Sequence, residues 1–253
     1  MFNVSNHGEG YQLSAAVLVY TDPGNRHAFA TKHEVQLIDG RPTVRPGSPF
    51  SEVDYRNLVK AMAPKEQPRM QWQDHRVLAK GLGKILWWEP PTKRSLFFRK
   101  SSHNAGTFDG KGLCPCPGLV FMATPRALYV YAFQGEQAPH QRTKLYQAPF
   151  FNVWSSGQVC VGNATLPGEE LRGDPDAWER MFFGSHFTHP NFTQKDRLTK
   201  GVNPTEFWQQ MVTQPIDVFP EGVLVEVNLS VEDLMEVDAE HKLHARTRAQ
   251  GEF

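Results

Sequence analysis

The chain has 253 residues, 40% of them hydrophobic and 11% aromatic, which is enough to form the core of one large domain or of a domain with an extension. Its 27 basic and 27 acidic residues cancel, and no basic run stands out, which argues against an electrostatic nucleic-acid binder. No stretch approaches the roughly 20 consecutive apolar residues of a membrane span. The N-terminus has no secretory pattern, and three cysteines do not indicate a disulfide framework. We therefore expect a cytoplasmic protein with reduced thiols.

The first fifty residues favour β-structure. Residues 13–20 and 29–38 are strand-like runs with a turn sequence between them. Residues 42–49 are rich in proline and glycine, and we interpret them as a link. The predicted organisation is a β-rich extension over residues 1–48 and one domain over residues 49–253.

A helix and four strands are predicted next. Ser51 is a helix cap, and Asp54 lies three residues after it, ahead of apolar residues at helical spacing. The four strand-like runs are residues 85–88, 95–99, 119–122 and 127–133. Short joins within the first pair and within the last pair favour antiparallel neighbours, so we predict a four-stranded antiparallel meander. The Gly-rich loop at residues 101–118 is expected to be the most mobile segment.

Two helices in the C-terminal half have clear start signals. Asp174 precedes a proline that begins the first, and Asn203 precedes a proline that begins the second. Residues 223–229 favour another strand. The last dozen residues are polar, and we expect them to be frayed.

The segment PFFNVWSSGQVCVGN, residues 149–163, contains the candidate nucleophile. Cys160 ends an irregular, extended stretch, the kind of loop that often carries functional residues. Asn152 lies eight residues before it and Gly157 three residues before it. A side-chain amide near a thiol can stabilise the oxyanion that forms when a thioester is attacked. Cys160 and Asn152 are therefore candidate catalytic residues.

This segment resembles the active-site flap of ubiquitin-conjugating enzymes, where His-Pro-Asn precedes a Gly-x-Val/Ile-Cys strand. Asn152 falls on the asparagine of that family, Gly157 on its glycine and Cys160 on its catalytic cysteine. The predicted order of elements also matches. The resemblance implies an α+β, ubiquitin-conjugating-enzyme-like fold, in which helices flank the four-stranded meander, here with an N-terminal β-rich extension. Through PGLVF, LYQAPFFNVW and GQVCVGN the chain is also similar to the B-protein family of the PRTRC cassette, a prokaryotic family of this kind.

The sequence departs from the family pattern just before Asn152. Phe150 and Phe151 stand where the family has His-Pro, so the structural role of that histidine is filled differently or lost. A literal His-Pro-Asn does occur at residues 189–191, after the cysteine, and it carries no information about the flap. It lies between the two predicted C-terminal helices, where conjugating enzymes keep a loop beside the cysteine. His186, His189 and Asp196 in this loop are candidates to take a proton from an attacking amine.

The resemblance implies a function and a set of partners. Cys160 would accept a small ubiquitin-like protein as a thioester from a ThiF-like activating enzyme and pass it to an amine. A JAB-type peptidase is a further possible partner. The chemistry needs no metal or organic cofactor, because the activating enzyme uses the ATP.

Three other functions stay open at this stage. The missing His-Pro allows a catalytically inactive scaffold with the same fold. Cys160 with His186 would also suit a cysteine hydrolase or acyltransferase. A DNA-binding partition protein is disfavoured by the zero net charge. A lone Cys114-Pro-Cys116 lacks the second ligand pair of a structural zinc site, so no metal is expected there.

Overall fold

The structure, a computed structural model, describes residues 13–24, 27–62, 72–81, 83–100, 107–162, 164–191, 194–214, 216–236 and 238–249. Residues 246–249 are described by their backbone only. The chain forms two compact units, Met1–Gln71 and Trp72–Phe253. The domain boundary predicted between residues 48 and 49 stays a prediction. No helix in the described part of the chain has both the length and the apolar character of a membrane span.

The first unit consists of a three-stranded antiparallel sheet and a helix. Its elements are β1 (Ala15–Thr21), β2 (Ala28–Ile38), β3 (Arg41–Pro49) and α1 (Glu52–Met62). The predicted cap of α1 is confirmed, because Ser51 Oγ accepts from the Asp54 backbone N–H while the Asp54 carboxylate accepts from the Ser51 N–H. These two hydrogen bonds fix the start of the helix.

The link predicted at residues 42–49 is instead a strand. β3 pairs with β2 from Ile38↔Arg41 to Thr31↔Pro49. The hairpin turn at Asp39 and Gly40 has positive φ at both positions, which matches the twist of antiparallel strands. Prolines are compatible with β3 because it is an edge strand, where an N–H on the open side needs no partner.

The second unit contains a larger set of strands and helices. The strands are β4 (Val77–Gly81), β5 (Lys84–Glu89), β6 (Thr92–Phe98), β7 (Gly110–Cys116), β8 (Gly118–Ala123), β9 (Leu128–Phe133), β10 (Lys144–Gln147), β11 (His186–Phe187) and β12 (Glu226–Ser230). The helices are α2 (Pro175–Phe183), α3 (Pro204–Thr213), α4 (Val231–Met235) and α5 (Ala239–Ala249). One sheet has the order β12-β10-β9-β8-β5-β4 with antiparallel neighbours, and a second has the order β11-β6-β7. The predicted α+β class is confirmed.

The predicted meander is wrong in its first pair of strands. β5 and β6 are not neighbours, since β5 pairs with β8 and β6 pairs with β7. One register runs through both pairs, with Glu89 opposite Leu119 and Thr92 opposite Cys116. The two pairs therefore form one long hairpin that bends at the Pro-Pro of residues 90–91, because proline cannot donate to the ladder. The last predicted pair is confirmed by β8 and β9. Much of the predicted mobile loop is β7, while residues 101–106 lie outside the described residues.

The predicted starts of α2 and α3 are confirmed. The Asp174 side chain accepts from the Asp176 N–H, and the Asn203 side chain accepts from the N–H groups of Thr205 and Glu206. Both helices lie on one face of the six-stranded sheet together with the segment at residues 148–159, and their aromatic side chains form the larger core. This packing places the C-terminal end of α2 near the candidate site.

The C-terminal residues cover the opposite face of the same sheet. Leu234 of α4 and Leu243 of α5 belong to a second core cluster with Tyr129 and Tyr131 of β9. The frayed end predicted for the last dozen residues is therefore wrong as far as residue 249, since α5 extends to Ala249. The apolar contact of Leu243 explains why a largely polar segment is helical.

A buried network of charges joins α2 to the sheets. Arg76 donates to Glu89 and, at 2.9 Å, to Glu179, and Arg94 donates to the same two carboxylates. The indole N–H of Trp87 also donates to Glu179 at 3.1 Å. Glu89 and Glu179 are both buried. Because each guanidinium contacts both carboxylates, the network fixes α2 against β5 and β6.

The network predicts a dependence of stability on pH. Burial, followed by the neighbouring Glu89 carboxylate, raises the pKa of Glu179 to about 7. Since the pKa is raised by folding, the stabilisation from the bound proton is complete below about pH 4.5 and is lost as the pH rises through about 7. We expect the free energy of unfolding to fall over this interval more steeply than in Glu179→Gln, by up to about 1.4 kcal/mol per pH unit. Urea unfolding of both proteins across this range measures the difference, and parallel pH profiles would contradict it.

Candidate active site

The candidate nucleophile follows a tight hairpin. Trp154 N–H donates to the Gln158 carbonyl oxygen at 2.8 Å, and Gly157 N–H donates to the Trp154 carbonyl oxygen at 2.8 Å. Gly157 has φ +75°, so this is a three-residue loop that ends in a left-handed residue. A bridge between Val153 and Val159 closes the hairpin. The predicted irregular stretch before the cysteine thus has a defined backbone, and glycine suits the position that requires positive φ.

Cys160 lies at the exposed end of this hairpin. Its backbone N–H donates to the Asn152 carbonyl oxygen at 2.7 Å. This bond links Asn152 and Cys160, the two residues whose sequence spacing indicated a catalytic pair. The preceding Val159 is buried, whereas Cys160 is exposed with a free thiol. The hairpin is in turn held to β9, since Val130 N–H donates to the Gly157 carbonyl oxygen at 2.8 Å. A rigid support with an exposed thiol is the arrangement that a cysteine nucleophile requires.

Phe150 and Phe151, which replace the His-Pro of the resembled flap, are core residues. Both are 1% exposed. The Phe150 ring stacks on Trp208 of α3 at 5.4 Å and on Phe187 at 5.6 Å between ring centroids. The Trp208 indole N–H donates to the Pro149 carbonyl oxygen at 2.5 Å. Aromatic packing therefore anchors the start of the flap where the family pattern has a histidine.

The Asn152 side chain connects the flap to β11. Its Nδ2 donates to the His186 carbonyl oxygen at 2.9 Å, and its Oδ1 accepts from the Thr188 N–H at 3.4 Å. β11 itself pairs in parallel with β6 through His186↔Phe97. This amide thus positions the histidine-bearing segment, and its predicted contribution to oxyanion stabilisation stays a prediction.

The four predicted site residues lie around one cavity of about 620 Å³: Cys160, Asn152, His186 and His189. His189 Nδ1 lies 2.9 Å from Thr188 Oγ1. Asp196, the fifth candidate, is not among the lining residues, and its carboxylate accepts from the Gly201 N–H at 2.6 Å. The cavity thus combines an exposed thiol, an amide and two imidazoles.

The cavity lining also includes two arginines and an asparagine that the sequence analysis did not single out. Arg99 follows β6, Arg180 lies on α2, and Asn191 follows the two histidines. No Asp or Glu belongs to the described lining. The literal His-Pro-Asn was the one available signal for Asn191, and no local pattern links the two arginines to Cys160.

The other two cysteines lie in the core. Cys114 is 0% and Cys116 is 2% exposed. Burial raises the pKa of the Cys114 thiol to about 11 and also raises the pKa of Cys116. No group of three or more His, Cys, Asp or Glu side chains suited to a metal occurs among the residues that the structure describes. Of the three thiols, Cys160 is the accessible one.

A comparison with models of known protein families gives a match to prokaryotic E2 family D over residues 54–227, more than half of the chain. The chain belongs to this family. The match covers the flap, Cys160, α2 and α3. The whole candidate site therefore lies within the E2-like region. Comparisons with curated proteins and with solved structures gave no match.

Proposed function

We propose that this member of prokaryotic E2 family D is a conjugating enzyme that accepts a ubiquitin-like protein as a thioester on Cys160 and transfers it to an amine. The observation on which the proposal rests is the exposed Cys160 thiol at the end of a rigid flap, in a cavity lined by an amide and two imidazoles. Membership of the E2-like family supports this chemistry over other uses of a cysteine.

The reaction consists of two exchanges at one carbonyl carbon. In the first, the Cys160 thiolate attacks the thioester of the activating enzyme, a C–S bond forms, and the thiolate of that enzyme leaves. In the second, an amine attacks the new thioester, a C–N bond forms, and the Cys160 thiolate leaves while the amine loses a proton. Thioester exchange is close to isoenergetic, so the enzyme contributes mainly positioning and an accessible thiolate.

His186 and His189 are proposed to take the proton of the attacking amine. Their imidazoles are the candidate bases in the described cavity lining, and the charged side chains there are Arg99 and Arg180. A lysine amine has a reference pKa of about 10.4, so most of it is protonated near neutral pH. A base beside the thioester therefore has its largest effect there.

This role predicts a pH-dependent defect. We expect His186→Ala or His189→Ala to slow discharge of the thioester to free lysine more at about pH 7 than at about pH 9, where more free amine exists. Single-turnover discharge, followed on non-reducing gels after ATP is removed, measures the rates. Wild-type rates in both variants near neutral pH would assign the proton transfer to solvent.

The proposed partners follow from the resemblance to the PRTRC B family. A ThiF-like activating enzyme would supply the thioester, a small ubiquitin-like protein would be the transferred group, and a JAB-type peptidase would remove it. The family match supports the E2-like part of this assignment.

A charging assay tests the proposed function. The full chain is mixed with ATP, a ThiF-like activating enzyme and the ubiquitin-like protein. We expect an adduct on the E2-like chain that disappears on treatment with a reducing agent. A folded chain that never forms this adduct, in the presence of a charged activating enzyme, would instead be a scaffold of the conjugation system.

A further inference from the structure

The cavity that contains the exposed Cys160 thiol has positive charge in its lining and no carboxylate to balance it. Arg99 and Arg180 are the charged side chains of the described lining, which includes no Asp or Glu. His186 and His189 share this lining and add positive charge whenever they are protonated. Since basic and acidic residues are equal in number over the whole chain, the excess belongs to the site and not to the composition.

The two arginines come from different elements, and both are exposed. Arg99 directly follows β6, and its backbone N–H donates to the Phe187 carbonyl oxygen at 3.1 Å, which fixes the residue beside β11. Arg180 lies in the last turn of α2. Its Nη2 is 3.7 Å from an Asp174 carboxylate oxygen in an ion pair whose two side chains are 67% and 41% exposed. Such an exposed pair is weak, so this guanidinium stays available to a ligand.

Little else in the described part of the chain neutralises these charges. The other two carboxylates of α2, Asp176 and Glu179, form ion pairs with Arg76. Arg99 has no ion pair with a carboxylate among the residues that the structure describes. The two exposed arginines thus differ from the buried network of charges, in which each guanidinium contacts carboxylates of the chain itself. A ligand can supply the missing anions.

We propose that the acceptor of this enzyme is a lysine flanked by carboxylates, in an acidic segment of a protein, and that Arg99 and Arg180 bind those carboxylates. This inference rests on the proposed function. A guanidinium binds a carboxylate through two parallel N–H donors, which fixes orientation as well as position. Two such contacts would hold the lysine amine next to the thioester on Cys160, where positioning is the main contribution to the rate.

The same charges favour the reactive form of the acceptor. A protonated lysine is repelled by nearby guanidinium groups, and like charges lower the pKa of an ammonium group. The neutral amine, which is the nucleophile, is therefore favoured in the cavity. Carboxylates on both sides of the lysine offset the repulsion, so the segment still binds. The ubiquitin-like protein has no such requirement, because its terminal carboxylate is consumed when the thioester forms.

Single-turnover discharge to two peptides tests the proposed acceptor. One is Asp-Lys-Asp and the other is Asn-Lys-Asn, both with blocked termini, so that they share one amine and differ in charge. At low salt we expect the acidic peptide to discharge the thioester of wild type about 3–10-fold faster. The preference should shrink as salt rises, because salt screens exposed charges. In the full-length double variant Arg99→Gln/Arg180→Gln, we expect the two rates to agree within about twofold.

Arg142→Gln is the matched control, because it removes one exposed guanidinium from outside the described cavity lining. It is expected to keep the preference of wild type. If wild type forms the adduct but discharges it equally to both peptides, the acceptor proposal is wrong and the proposed function survives. A loss of preference in Arg142→Gln as large as in the double variant would also overturn the proposal, since the effect would then belong to the net charge of the protein.

Alkylation of Cys160 measures the same charges without the ubiquitin-like protein. The thiolate displaces iodide from iodoacetate, which is an anion, and from iodoacetamide, which is neutral. The ratio of the two rates therefore reports the charge around this exposed thiol and not its thiolate fraction. We expect the ratio to be about 3–10-fold higher in wild type than in the double variant. Equal ratios would overturn the acceptor proposal alone, whereas the absence of any adduct in wild type would overturn the proposed function and this proposal with it.

Discussion

Cys160→Ala is expected to abolish the adduct with the ubiquitin-like protein, and Cys160→Ser is expected to give either none or one that reducing agents do not cleave. The reason is that the thioester sulfur must come from an accessible thiolate, and Cys160 is the exposed thiol of the chain. Serine leaves a hydroxyl in the same position, so any product is an oxygen ester. Charging assays run with and without reducing agent distinguish these products.

Cys114→Ala and Cys116→Ala are the controls for this experiment. Both thiols are buried, and burial raises the pKa of each, so neither provides a thiolate near neutral pH. Alanine is preferred to serine at these positions because a buried hydroxyl would need a new hydrogen-bond partner. We expect both variants to charge to the wild-type extent. Normal charging of Cys160→Ala would refute the assignment of the nucleophile.

The helices next to the site could be predicted because their start signals are local. Asp174 and Asn203 each cap a helix within three residues of chain, and a proline at the first helical position reinforces each signal. Such hydrogen bonds depend little on the rest of the fold. The cap formed by Ser51 and Asp54 was predictable for the same reason.

The pairing of strands could not be predicted in the same way. A Pro-Pro at residues 90–91 fits a tight turn between two strands and equally a bend within one long strand. The two possibilities differ in which strands pair with each other. In the structure β5 pairs with β8 and β6 pairs with β7, in one continuous register. Even the nearest pair across these strands, Phe98 and Gly110, is twelve positions apart in the sequence, and no short pattern identifies it.

The candidate site shows the same division between local and distant information. Asn152, Gly157 and Cys160 lie within one hairpin, so their spacing was sufficient to relate them. Arg99 and Asn191 reach the cavity through tertiary structure, by the parallel pairing of β11 with β6 and by the backbone bond to Phe151. Sequence spacing therefore indicated the candidate nucleophile but neither Arg99 nor Asn191.

Gly157→Ala is expected to destabilise the protein more than Gly201→Ala does, although both glycines have φ +75°. The shared left-handed conformation costs any non-glycine residue about 1–3 kcal/mol. The surroundings differ, because a Cβ on Gly157 would lie 2.3 Å from the Tyr131 ring, whereas a Cβ on Gly201 would have nothing within 4 Å. Tyr131 is fully buried and its hydroxyl donates to the Ser156 carbonyl oxygen, so the ring has little room to move. Overpacking should add about 1–3 kcal/mol at Gly157 alone. Urea unfolding of both variants measures the difference in the free energy of unfolding. Equal losses in the two variants would show that the flap accommodates the added methyl group without a clash against Tyr131.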